Sequence, residues 1–312
     1  MASLSAVASG VVYAPDPAYL ARRRLVDQLV RALLFLAASL SVFVTIGIVY
    51  VLVSECVGFF QKVSVIDFLT DTQWTPVFAQ PHYGILPLLS GTILAAGIAL
   101  LVAIPAGTVL AIYLSEYAPG RVRETVKPFL EVLEGVPTVV YGYFALLFVT
   151  PLFQVFLPSL AGFNLLAPGV VMGVMILPYV VSVSEDAMRA VPSGLREGAY
   201  ALGFTRFQTA VKVVVPGAFS GITAAYILAM SRAVGETMVV AIAAGQNPNL
   251  TFDPTEGAAT ITAYIVQISL GDLPQGTLEY QTIFAAGLTL FLITLGFNVV
   301  GFFLRKKFRE VY

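Results

Sequence analysis

From Leu29 to Val53 the chain is apolar throughout, with Arg31 the one charge near its start. From Tyr83 to Ser115 there is no charge at all. A bilayer core about 30 Å thick is crossed by about 20 helical residues, so each stretch predicts one transmembrane helix. Pro87 and Pro105 are expected to bend the second. Gly135 to Ser184 runs for 50 residues without a charge. As one helix it would be about 75 Å long, which no membrane accommodates, so it predicts two spans. Pro151, Pro158, Asn164 and Pro168 mark the turn between them. Two further spans are predicted from Val213 to Ala244 and from Tyr280 to Leu304, giving an all-α integral membrane chain with six transmembrane helices. The first stretch is too long for the apolar region of a signal peptide and predicts a retained span over 29–60. Gly169/Gly173 and Gly217/Gly221 have the spacing that lets helix backbones approach closely.

Composition agrees with lipid as the solvent: 58% of the 312 residues are hydrophobic and 11% charged. Disorder, a coiled coil and a nucleic-acid binder need a charge density that is absent. A single cysteine, Cys56, excludes an intramolecular disulfide and a thiolate metal cluster, and the single histidine, His82, beside Pro81, reads as a loop residue. No metal site and no catalytic residue are expected. The basic residues orient the spans. With the N-terminus in the cytoplasm, the inner segments 1–28, 116–128, 186–212 and 305–312, with Arg31 at their edge, hold 15 of the 17 lysines and arginines, Arg309 among them. The opposite topology would invert that ratio. Lys62 lies outside and Arg232 falls within the fifth span. This divides the chain into an inner tail (1–28), a first span (29–60), an outer loop (61–83), a core (84–304) with an inner loop at 187–212, and a second tail (305–312). Residues 1–20 read as flexible. The outer loops at 61–83 and 246–278 carry acidic residues among Pro, Gly and Gln, and are either a surface for an extracytoplasmic partner or plain connectors.

The inner loop from Val191 to Pro216 has its own pattern. Pro192 and Ser193 open a helix, and Leu195, Ala199, Leu202 and Phe207 give it and the next segment an apolar face. Gly203 breaks the run between them. By itself this is a helix–turn–helix lying on headgroups. Glu197-Gly198-Ala199, then Gly203, then Val213-x-Val215-Pro216 resembles the EAA loop of ABC-importer permeases, with Gly198 at an Ala position and Val213 and Val215 for Ile and Leu. The resemblance implies a coupling helix in the cleft of a separate cytoplasmic ATPase, with Ser193, Arg196, Glu197, Gly198, Ala199, Gly203 and Arg206 as its coupling residues. The chain contains no Gly-Lys dipeptide and hence no phosphate-cradling P-loop, so it is expected to bind no ATP and to be no enzyme.

Further segments resemble the phosphate-importer permeases of the PstC type: Gly91-Thr92, Ala111 to Pro119, Arg121-Val-Arg, Lys127-Pro128, Glu134-Gly-Val-Pro137, Val140-Tyr-Gly142 and Ser231 to Met238. The resemblance implies the type I ABC-importer (MetI-like) fold in a bacterial inner membrane. The implied partners are a second homologous permease (PstA type), two ATPase subunits (PstB type) that hold ATP and magnesium, and an extracytoplasmic phosphate-binding protein (PstS type). Arg232 and Glu236, four apart, are expected on one helix face, where Arg232 would donate to phosphate and Glu236 would hold the guanidinium. Ser231 and Thr237 are neutral candidates beside them. The other reading of Arg232 is a snorkelling or structural charge. Glu131 and Glu134 are expected at the N-terminus of the third span, and Glu185 and Asp186 as solvated groups at the end of the fourth. Another oxyanion such as molybdate or sulfate, an anchor or sensor without transport, and an ion-driven transporter are the competing functions.

Overall fold

The computed structural model describes residues 17–307; residues 1–16, Arg309 and the rest of the last five positions lie outside the described residues. The chain divides between Val53 and Ser54 into two units. The first consists of most of helix α1 (Pro17–Phe60), which begins twelve residues before the predicted span, because the Arg22–Arg24 segment continues the helix in front of the apolar run. Leu33, Leu34, Phe35 and Leu36 are exposed on successive faces of it.

In the second unit a short helix, α2 (Val65–Thr70), leads to a bridge between Trp74 and Tyr83. His82 sits in that turn with its Nδ1 2.8 Å from Asp71 Oδ2. There follow α3 (Leu86–Tyr117), α4 (Gly120–Gly135), α5 (Thr138–Phe156) and α6 (Leu166–Arg189). Pro87 sits in the first turn of α3, where its missing N–H costs nothing, so it starts that helix instead of bending it. The turn between α5 and α6 is built on Asn164. This fully buried side chain accepts from Ala167 N at 2.8 Å and donates to Thr150 Oγ1 and Ala161 O. Helices α7 (Ser193–Ala201), α8 (Arg206–Gly217) and α9 (Phe219–Val234) come next, then α10 (Met238–Ala243), α11 (Ile261–Ser269) and α12 (Leu278–Lys307).

Among the described residues, five helices are long and apolar enough to cross a membrane, namely α1, α3, α5, α6 and α12; α8 and α9, bent by 72° to one another, make a sixth if taken together. The bend follows Pro216, which cannot donate to the helical ladder. The predicted outer loop 246–278 is not all loop. Ile261, Ala263 and Tyr264 of α11 are buried, and Ile261 N donates to Thr92 Oγ1 of α3 at 3.0 Å. The apolar run there is too short to span and so escaped the count by length.

Helix α6 is the centre of the core: 61% of its most apolar stretch is buried, against 28% for α3. Its Met172, Met175, Ile176 and Val180 pack with Ala95, Ala99 and Ala103 of α3 and with Ala229 and Ala233 of α9. Glycines allow the close approach. A Cβ on Gly173 would lie 2.7 Å from Val102 Cβ and 2.8 Å from Ala99 O, and one on Gly169 would lie 2.8 Å from Ile98 Cβ. A Cβ on Gly221 would collide with Ala187. Gly173→Val is therefore expected to force α3 and α6 apart at a cost of about 1–3 kcal/mol. The melting temperature of the purified protein would report this, whereas Gly97→Ala in open space on α3 should not lower it. Outside the core, Leu101 and Val109 of α3 and Leu147 of α5 are exposed, the solution a chain adopts when its surroundings are hydrocarbon.

Candidate functional site

Two regions gather the residues singled out in the sequence. The first lies at the end of α9. Arg232 occupies the last turn of that helix, and its guanidinium carbon lies 4.6 Å from the centre of the Tyr179 ring. Tyr179 is the fourteenth residue of α6, about 15 Å from the Arg189 end of that span. The charge is therefore deep, and the stacking is the kind a delocalised guanidinium makes on an aromatic face. Glu134 lies close enough to Tyr179 to interact with it. Neither Arg232 Nε nor Ser231 Oγ, both buried, has a hydrogen-bond partner among the described residues.

The expected pairing of Arg232 with Glu236 is corrected. Helix α9 stops at Val234, so the two residues do not share a helical face, and no ion pair joins them among the described residues. Gly235 closes α9 and the chain restarts as α10. The buried Glu236 carboxylate accepts from the amides of Met238 (3.2 Å) and Val239 (3.4 Å), the unpaired donors at the start of that helix. Its carbonyl accepts from Thr262 Oγ1 at 2.7 Å. Capping the new helix has won over an i,i+4 pair. Thr237 bonds to Gly235 O in the same break. Glu131 and Glu134 also differ from expectation: they lie in the last turns of α4, and the third span begins only at Thr138.

The second region is the 192–216 loop. Helix α7 begins at Ser193 after Pro192, as the pattern predicts, and ends in a turn where Gly203 takes φ +84, a conformation that a side chain would strain. Thr205 then caps α8, with Gln208 completing a reciprocal capping box. The predicted apolar face divides. Ala199 is buried, while Leu202 and Phe207 are 80% and 67% exposed. Ser193, Glu197, Gly198, Gly203 and Arg206 are exposed as well. Arg196 is not free for a partner. It pairs with Glu116 at 3.1 Å and donates to the carbonyls of Met188 (2.7 Å) and Val191 (2.5 Å). Arg196 thus fastens α7 to the ends of both α3 and α6.

A further charged cluster lies nearby. Glu185, fully buried, pairs with Lys127 of α4 and sits 3.6 Å from Arg189, so it is not the solvated group expected; Lys127 also reaches the exposed Asp186 at 3.1 Å. Burial alone would lower the Lys127 pKa, but the hydrogen bonds and charges of Glu185 and Asp186 outweigh it and raise it. A raised lysine pKa keeps the pair at neutral pH and loses it only as pH climbs through that raised value. Glu116, Lys127, Tyr179 and Glu185 were missed as partners. A carboxylate at the end of an apolar run was the available signal for Glu116 and Glu185.

Residues 103–310 match the family described as "Binding-protein-dependent transport system inner membrane component". The chain belongs to this family. Among its relatives, the permease is 38% identical to "Probable ABC transporter permease protein YqgH" of Bacillus subtilis (strain 168), over 88% of each chain. It is 33% identical to "Phosphate transport system permease protein PstC" of Haemophilus influenzae, over 82% of this chain and 87% of that one. Its fold is similar to that of a bacterial ABC transporter that imports the polysaccharide alginate, with a TM-score of 0.61 at 17% identity, covering 92% of this chain and 100% of the other. It is similar also to the MetNI methionine ABC transporter, with a TM-score of 0.54 at 19% identity over 73% and 95%. The permease thus has the type I ABC-importer (MetI-like) fold and is a non-catalytic, multi-pass membrane subunit of an ABC importer.

Proposed function

We propose that this chain is the permease subunit of an ATP-driven inorganic phosphate importer, with both termini in the cytoplasm, in a bacterial inner membrane. It forms half of the path and pairs with a homologous permease of the PstA type. Of two ATPases of the PstB type in the complex, one docks on the 192–216 loop of this chain, and a PstS-type binding protein delivers phosphate from outside. The observation that carries the solute is the similarity to phosphate transport permeases of several organisms, at 31–33% identity over most of the chain. The deep guanidinium of Arg232 supports an anion as cargo, because a charge at that depth is costly and its planar fork suits an oxyanion. Ser231 and Thr237 line the same stretch, and Glu236 sets its backbone. Uptake by the complex reconstituted in vesicles tests the reading. Phosphate should enter only with ATP, undiminished by excess sulfate or molybdate. Entry without the ATPases, or preferential uptake of a competing oxyanion, would reject it.

The coupling part of the proposal is mechanical. Glu197, Gly198, Gly203 and Arg206, with Leu202 and Phe207 between them, present the docking surface, and Ser193 opens its helix. Arg196 and Ala199 hold the loop to the bundle, so a displacement of α7 moves the ends of α3 and α6. Glu197→Lys reverses charge at the docking surface without touching the anchor. It is expected to cut phosphate uptake about tenfold or more while the ATPases still turn over, as parallel uptake and hydrolysis assays would read. Uptake with unchanged coupling would return the loop to a headgroup-lying helix.

A further inference from the structure

Beside the coupling loop, at the basic end of the spans, lies an open cleft of about 650 Å³. Its wall includes Glu116 at the end of α3, Arg123 of α4, Arg189 at the end of α6, Arg196 and Tyr200 of α7, and Arg206 of α8. Four arginines against one glutamate leave the lining three charges positive. The charges are not equally spent. Arg196 is neutralised by Glu116, and Arg189 leans on Glu185, which Lys127 already pairs. Neither the Arg123 nor the Arg206 side chain has an ion-pair or hydrogen-bond partner among the described residues, and with Arg206 assigned to the docking surface proposed above, Arg123 is the unspent charge of the wall. Arg123 is half-buried in the wall, so its charge is held at the cleft with little freedom to swing away.

A half-buried guanidinium without a partner is a poor arrangement for stability alone and a good one for a multidentate oxyanion. Both α3 and α6 end here, which puts the cleft at headgroup level, and Tyr117 and Tyr200 are exposed at its edge as aromatics are at an interface. We infer that this cleft is a binding site for a phosphate-bearing anion, taking either the headgroup of an acidic phospholipid or a free phosphate ion. The site is separate from the Arg232 region and does not depend on which solute the permease moves. Occupancy would tie α3, α4, α6 and the coupling loop together through one ligand.

The test uses the full-length chain in its assembled complex with the ATPases. In one arm, native mass spectrometry counts phosphatidylglycerol or phosphatidylcholine retained after exchange from vesicles of each lipid. In the other, equilibrium dialysis measures binding of inorganic phosphate in detergent without acidic lipid, in the Arg232→Gln background so that the path does not contribute. Arg123→Gln, which leaves the Arg196 anchor and the docking surface intact, is expected to weaken binding about fivefold, the worth of one basic side chain at an anionic surface. Arg123→Lys should recover most of it. Retention of phosphatidylglycerol that falls in Arg123→Gln identifies a headgroup site, and phosphate binding that falls in the same way identifies a free-ion site. Binding of neither probe above the phosphatidylcholine level, or binding equal in Arg123→Gln and wild type, overturns the inference. So does binding that emerges only once the ATPases are stripped away, because an acidic protein surface would then occupy the cleft. None of these outcomes touches the transport assay.

Discussion

Arg232→Gln is expected to lower phosphate uptake by the reconstituted complex about tenfold or more, while the complex still assembles and hydrolyses ATP. The argument starts from depth. The guanidinium lies over Tyr179 near the middle of α6, and its Nε is buried with no partner among the described residues. Hydrogen bonds to a charged group are worth about 1.5–3 kcal/mol, and each 1.4 kcal/mol is a factor of ten. Glutamine keeps much of the volume and some donor capacity but loses the charge. Arg232→Lys keeps the charge and loses the planar fork, so uptake should fall between the two. Uptake assays on the three proteins, with ATP hydrolysis followed in parallel, decide the matter. Normal uptake in Arg232→Gln would make the residue a structural charge stacked on Tyr179.

The second large effect concerns stability. Lys127→Met leaves the fully buried Glu185 carboxylate with only Arg189, 3.6 Å away and itself 45% exposed. Removing one partner of a buried pair costs about 3–5 kcal/mol. Since Lys127 is 30% exposed, the low end, about 3 kcal/mol, is appropriate. The thermal unfolding midpoint of the purified complex should drop accordingly. Adding Glu185→Leu removes the stranded charge, so the double variant should regain most of the loss. A double variant no more stable than Lys127→Met would show that the carboxylate carries no penalty at that site.

Much of the fold was legible because hydrocarbon demands uninterrupted apolar length, and length is a property of the sequence. The split of 135–184 into two spans needed only the rise per residue. The turn at Gly203 needed only the conformational freedom of glycine, which its φ of +84 uses. Local rules failed where two of them competed. At 232–236 an i,i+4 spacing promised a pair, but Gly235 followed by Glu-Thr ended one helix and capped another. At 261–269 a run too short to span became a buried helix, since α3 and α12 offered it cover. In the loop, the periodicity that grouped Ala199 with Leu202 and Phe207 could not reveal that the bundle would bury the first and leave the others outside.

The chain's own order of residues determined a helical membrane protein with a hinged loop at 192–216, through apolar length and the placement of proline and glycine. Tertiary structure alone decided which charges are spent and which are free. Arg196 went to Glu116, Lys127 to Glu185 and Glu236 to the amides of α10, leaving Arg232 on Tyr179 and Arg123 facing an open cleft. The reason is that an ionic partner is fixed by distance in space. Residues 80 positions apart, like Glu116 and Arg196, meet only once the spans have packed.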